Sequence, residues 1–210
     1  MKTTTFTKHP LFEQQGYLVV PNLCDASALY EPCPTERGQK EYWGDKEEQH
    51  IFLPVERQIP GCMSRYGYPK YKAVERLIKN KIEMILDRKL YSTYYFDRYY
   101  FPGQELKKHI DRDACEISVT VHISTNLKGK HADWPIKFET PEGNEGSVTL
   151  KPGDGAIYKG CERPHWRDPL PKPHFWLKKE QPYYHQIFFH YVLQDGNRCH
   201  VANDAMTKIY

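Results

Sequence analysis

Six segments between Leu90 and Leu193 have the composition of β-strands, and this run constrains the fold more than any other feature. LYSTYYFDRYY, CEISVTVHIST, PIKFET, GSVTLKPG, GAIYKG and YYHQIFFHYVL are rich in β-branched and aromatic residues and are parted by turn residues. Ahead of them, Val74, Leu77, Ile78, Ile82, Ile85 and Leu86 recur at helical spacing. They predict one amphipathic helix of roughly 17 residues from Tyr71 to the Asp87-Arg88-Lys89 stop. Near the start, FEQQGYLVVPNL (Phe12 to Leu23) reads as a short helix turning into an edge strand, stopped by Pro21-Asn22. A helix followed by many antiparallel strands predicts an α+β chain. Its core would be a double-stranded β-helix (jelly-roll) flanked by N-terminal helices.

The 210 residues suit one compact domain, since two would be cramped. We divide that domain into N-terminal helical and loop support (1–90), the jelly-roll core (91–195) and a tail (196–210). A 14% aromatic content with 16 Tyr excludes a disordered chain. The net charge of +3 comes from 30 basic and 27 acidic residues without a Lys/Arg run, which does not favour a nucleic-acid partner. The N-terminal MKTTTFTKHPLFEQQGYLVV lacks the apolar core of a signal peptide and no later segment is apolar enough to span a bilayer, so no membrane role is expected. Six cysteines without a CxxC pair are expected to be free thiols in a reducing cytoplasm. Residues 31–69 carry Pro and Gly at irregular intervals and read as long loops able to cover a site as a substrate lid.

The chemistry concentrates at His109-Ile110-Asp111, just after the Pro102-Gly103 turn. On extended chain, residues i and i+2 point to the same side, so one imidazole and one carboxylate converge. A third ligand from elsewhere would complete a two-histidine, one-carboxylate face for iron(II), leaving three coordination positions open. Alone, an HxD reads equally as a surface pair. The third ligand has several candidates in His122, His131, His165, His174, His185 and His190. His165 follows a strand, a Pro-Gly-Asp-Gly turn and another strand in LKPGDGAIYKGCERPHWRDPL, whereas His190 in its apolar strand reads as a packed core residue.

Four segments in this order carry a family likeness: FEQQGYLVVPNL, FDRYYFPGQELKKHIDRDACEISVTVHIS (Phe96 to Ser124), GDGAIYKG ahead of His165, and QIFFHYV (Gln186 to Val192). Together they resemble the iron(II)- and 2-oxoglutarate-dependent oxygenases, within them the prolyl 4-hydroxylase-like branch, over about half the chain. The resemblance implies His109, Asp111 and His165 as iron ligands. It also implies Fe(II) with 2-oxoglutarate and O2 as cosubstrates, and a dioxygenase that couples decarboxylation of 2-oxoglutarate to hydroxylation of a C–H bond. The substrate it implies is a small molecule or peptide, with prolyl residues or a free amino acid as the suggested classes. Related halogenases carry a small residue in place of the carboxylate, so Asp111 argues for hydroxylation.

The distal carboxylate of 2-oxoglutarate needs a cation. In the resembled family this is an Arg or Lys on the last core strand. Here the tenth residue after His165 is Phe175, and the matching strand offers Tyr184 or Gln186, neither charged. Arg167, two residues past His165, would project to the ligand side and could fork onto the carboxylate. Its alternative is a salt bridge to Asp168, and Lys178 and Lys179 are weaker candidates on a loop. In CEISVTVHIST an apolar face (Ile117, Val119, Val121, Ile123) alternates with a polar one (Glu116, Ser118, Thr120, His122). The polar face either meets solvent or lines the site. The resemblance puts His122 and Gln186 against the cosubstrate, with Tyr99 as hydroxyl donor from the opposite strand. The missing standard anchor keeps open a cupin-like non-haem metal protein that does not use 2-oxoglutarate. A non-catalytic jelly-roll binder is the reading from a different class.

Overall fold

The alternation in CEISVTVHIST decides how the large sheet faces. The computed structural model describes residues 9–35, 52–53, 56–172 and 181–202. In it, β5 (Ile117–Thr125) turns Ile117, Val119, Val121 and Ile123 outward beneath Ile78, Ile82 and Leu86 of α3 (Lys72–Leu86). Ser118, Thr120 and His122 lie on the other face, buried between the sheets. The polar face therefore lines the barrel interior rather than solvent.

Two antiparallel sheets make the jelly-roll. The larger has the order β1 (Tyr17–Val20), β8 (Gly155–Tyr158), β5, β10 (Tyr184–Leu193), β3 (Leu90–Tyr100), β2 (Met63–Tyr66). The smaller runs β4 (Leu106–His109), β9 (His165–Arg167), β6 (Ile136–Glu139), β7 (Glu145–Val148). The two edge strands β1 and β2 precede residue 91, and β2 comes from the loop-rich 31–69 stretch. One interior cluster packs Phe96, Tyr100, Leu106, Trp134, Tyr184 and Phe188; another packs Ile136, Phe138, Val148 and Tyr158.

The helices follow local signals. In α1 (Pro10–Gln15) a proline stands in the first turn, where its missing N–H costs nothing, and Gly16 ends the helix with φ +77°. Asp25 caps α2 (Ala26–Leu29) by accepting from the Ser27 and Ala28 amides. The long helix has 15 residues rather than roughly 17, because Pro69–Tyr71 winds as a 3₁₀ turn before it and left-handed Asp87 closes it. Leu77, expected on the buried stripe, is 62% exposed because that stripe is centred on Ile78 and Ile82. No helix among the described residues is long and apolar enough to cross a membrane. His174, Lys178 and Lys179 lie outside the described residues, as do 36–51 and 54–55 of the expected lid and 203–210 of the tail.

Candidate metal centre

β4 and β9 pair antiparallel with His109 directly opposite His165, which brings two residues distant in sequence side by side. The chain then leaves β4, and a hydrogen bond from the Asp111 amide to the Gly160 carbonyl (2.9 Å) pins the carboxylate between them. Asp111 Oδ1 lies 3.5 Å from Nε2 of each histidine. Each Nδ1 sits against a backbone carbonyl, His109 on Lys107 (2.7 Å) and His165 on Arg163 (3.0 Å). A carbonyl only accepts, so Nδ1 carries a hydrogen in both rings and Nε2 is the atom turned to the carboxylate, with its lone pair open to a cation when the ring is neutral. Ser118 Oγ donates to Asp111 Oδ2 (2.9 Å), holding that oxygen and leaving Oδ1 to the histidines. Gly160 is required by this packing: a Cβ there would strike Asp111 Oδ2, Ser118 Oγ and the Cys115 carbonyl.

The electrostatics are those of a cation site. Burial alone would raise the Asp111 carboxyl, but hydrogen bonds from His109 and His165 outweigh it and hold the group well below the usual carboxylate range. His109 is raised: burial works against its charged form, and Asp111 with the Lys107 carbonyl outweighs burial. A carboxylate that favours a proton on the neighbouring His109 is arranged to favour a divalent cation in its place. The three ligand atoms lie within 4.8 Å of one another, as one metal ion requires.

Arg167, on the same strand as His165, points into the barrel and is 2% exposed. Its Nη1 donates to the Trp134 carbonyl, and its Cζ lies 4.7 Å from the Trp134 ring centroid and 5.8 Å from that of Tyr184. Nη2 is buried with no well-formed hydrogen bond, as is the neighbouring Tyr184 hydroxyl. Burial lowers the guanidinium below its ordinary range. No described carboxylate pairs with it. Asp168 points the other way, 2.8 Å from Lys137, so the Arg167–Asp168 pair considered from sequence does not form.

The remaining expected residues divide. His122 is on the interior face, stacked on Tyr184 (4.1 Å between centroids) and 3.1 Å from Gln186 Nε2. Burial, then Arg167, pushes its pKa down to about 3, so it stays neutral. Gln186 is fully buried beside it and accepts from Thr120 Oγ1 (2.8 Å). Tyr99 does not join the site. Its register opposite His185 and Met63 turns it to the outer face, where it stacks on His185 (3.9 Å) and donates to the Glu31 carbonyl (3.3 Å). Tyr100, one residue on, takes the inner face.

Beside the ligands opens a cavity of about 240 Å³. Its walls include Tyr66, Tyr94, Phe96 and Phe188, with Arg98 and Gln58 next to His109. Sequence reasoning gave no role to Gly160, Ser118, Arg98 or Gln58. Ser118 was within reach, since it shares the polar face of β5 with His122. Gln58 carries no local signal, because its relation to His109 exists only in three dimensions.

No protein-family model matches the chain, and no curated protein sequence does. Solved structures match in fold. A Pseudomonas putida prolyl-4-hydroxylase aligns at 15% identity with a TM-score of 0.55, covering 86% of this chain and 95% of the other. An oxidoreductase of the 2OG-Fe(II) oxygenase family from Burkholderia pseudomallei aligns at 9% identity with a TM-score of 0.59, covering 87% of both chains. HygX from Streptomyces hygroscopicus, with nickel and 2-oxoglutarate bound, aligns at 10% identity with a TM-score of 0.57, covering 86% and 85%. At such identities the likeness is one of fold.

Proposed function

We propose that the protein is an iron(II)- and 2-oxoglutarate-dependent dioxygenase that hydroxylates a C–H bond of a small-molecule or peptide substrate. The observation that carries this reading is Arg167: a buried cation without a carboxylate partner among the described residues, two residues from the proposed ligand His165 and on its side of the strand. His109, Asp111 and His165 would hold the iron on one octahedral face, with three positions open. Bound there, iron with 2-oxoglutarate and O2 supplies the oxidising power, releasing succinate and CO2.

The chain's own task is orientation. Arg167 Nη2 and the Tyr184 hydroxyl, both buried without good partners, are the donors a distal carboxylate would satisfy. His122, Thr120 and Gln186 form a connected neutral network around that point. In so dry an interior the attraction between guanidinium and carboxylate is weakly screened. Ser118 and the two backbone carbonyls orient the three side chains that would hold the cation. The fold shared with nickel- and 2-oxoglutarate-bound HygX supports the assignment. The free thiols of all six cysteines support a reducing, cytoplasmic setting.

Anaerobic addition of iron(II) and 2-oxoglutarate tests the reading. The expected result is a weak visible charge-transfer band of a chelated keto acid, with succinate released on admitting O2. Iron binding without the band would favour the cupin-like alternative, and failure to bind iron would favour the non-catalytic one. Peptides and free amino acids can then be ranked by how far they raise succinate release.

A further inference from the structure

Gln58 bridges two groups of opposite demand. Its Oε1 accepts from Arg98 Nη1 at 2.9 Å, and its Nε2 lies 3.2 Å from His109 Nε2. Both ends of the amide are assigned by chemistry. Arg98 can only donate, so the carbonyl end must face it. His109 spends its Nδ1 hydrogen on the Lys107 carbonyl, so in the neutral ring, the form that binds a metal, its Nε2 accepts and the NH₂ end faces it. Arg98 is itself anchored, 2% exposed, on Glu56 (3.2 Å) and Ser64 Oγ (2.9 Å). The Gln58 amide nitrogen of the backbone closes the unit by donating to Glu56 Oε1 (3.0 Å).

The side-chain amide thus sits on the lone pair that a metal takes, since a metal–imidazole bond of about 2.1 Å leaves no room for an N–H on the same lone pair. We propose, resting on the metal reading above, that Gln58 is a positioning residue of the metal centre. In the metal-free protein it competes with the cation for His109. With the cation seated, its N–H is re-aimed at an anionic oxygen ligand in the open coordination position beside His109. Its own oxygen does not become a ligand, because Arg98 holds it. Gln58, ahead of β2, would thus offer that position one neutral donor.

Cobalt(II) and acetate are the probes. Metal-free wild type and Q58L are titrated with cobalt(II) by calorimetry and visible absorption; acetate is then added to the cobalt-loaded proteins. Q58L is expected to bind cobalt(II) about fivefold tighter and acetate about fivefold more weakly, the worth of one ordinary hydrogen bond in each direction. A loosened fold would weaken both, so the opposite signs identify the role. A second variant, Q58E, puts an anion on the same spot and is expected to bind cobalt(II) tighter still while excluding acetate. Cobalt(II) affinity in Q58L no tighter than wild type, or acetate affinity unchanged, overturns the proposal while leaving the metal reading intact. A wild type that takes up no cobalt(II) overturns both.

Discussion

Two of the buried arginines, Arg65 on the outer side of the β3–β10 pair and Arg167 inside the barrel, stand in opposite circumstances. On the outer face Arg65 meets Asp97 (2.7 Å) and Glu31 (2.9 Å), and its Cζ lies 3.6 Å from the Tyr68 ring centroid. Asp97, fully buried, also accepts from the Tyr71 hydroxyl (3.0 Å) and His185 Nε2 (3.0 Å). Every charge there has an opposite neighbour. Inside the barrel Arg167 is as deeply buried, yet it has aromatic rings, one carbonyl and no carboxylate among the described residues. Removing an ion from water costs several kcal/mol unless a counter-ion restores it. The saturated cluster has its counter-ions within the chain, whereas on the function proposed above the unsaturated one would take an anion from outside.

The strongest way to break this contrast is to unpair the saturated side. Asp97→Ala leaves Arg65 buried with only Glu31, and should lower stability by about 3–5 kcal/mol in urea unfolding while the folded protein keeps its 2-oxoglutarate affinity. Unchanged stability would mean the cluster is not structural. Arg167→Gln should do the reverse: 2-oxoglutarate affinity falls about 100-fold, near 2.7 kcal/mol, from the loss of charge-assisted bonds. Stability should hold or rise, because a buried unpaired charge has been removed. An unchanged affinity would sink Arg167 as the anchor.

A pH series sharpens the contrast further, using one histidine from each face in the metal-free protein. Burial lowers His185 despite Asp97, and burial with Arg167 pushes His122 down to about 3 from 6.5. Below 6.5 the unfolded chain takes up protons that the folded chain refuses, so stability rises with pH. This contribution is complete above that value and is lost as pH falls toward the folded-state values, at about 1.4 kcal/mol per pH unit per histidine. His122→Asn should flatten the slope by about one proton, read from denaturant midpoints across the series. The smallest effect belongs to Asp168→Asn. Its pair with Lys137 is exposed, so neither stability nor 2-oxoglutarate affinity should change measurably. A loss of affinity would restore the Arg167–Asp168 pairing that sequence allows.

Much of the site could be read before folding because its signals are local. The i, i+2 relation aims Asp111 with His109 and Arg167 with His165, and the alternation in β5 separates Ser118 and His122 from the helix-facing valines. The failures occur where local pattern is symmetric. β3 reads LYSTYYFDRYY, with tyrosines at both 99 and 100, so its periodicity cannot say which face each one takes. The register of Tyr99 against His185 and Met63 decides it.

The amino-acid sequence by itself determined the antiparallel core, the helix beneath it, the three residues proposed as ligands and the side of the strand on which Arg167 stands. Each of these follows from backbone geometry over a few residues. Tertiary structure alone decided that Asp168 turns to Lys137 and away from Arg167, why residue 160 must be glycine and that Gln58 stands over His109. Those depend on which remote segments pair and in what register, and strand pairing is set by burial summed over the whole barrel rather than by any one stretch of chain.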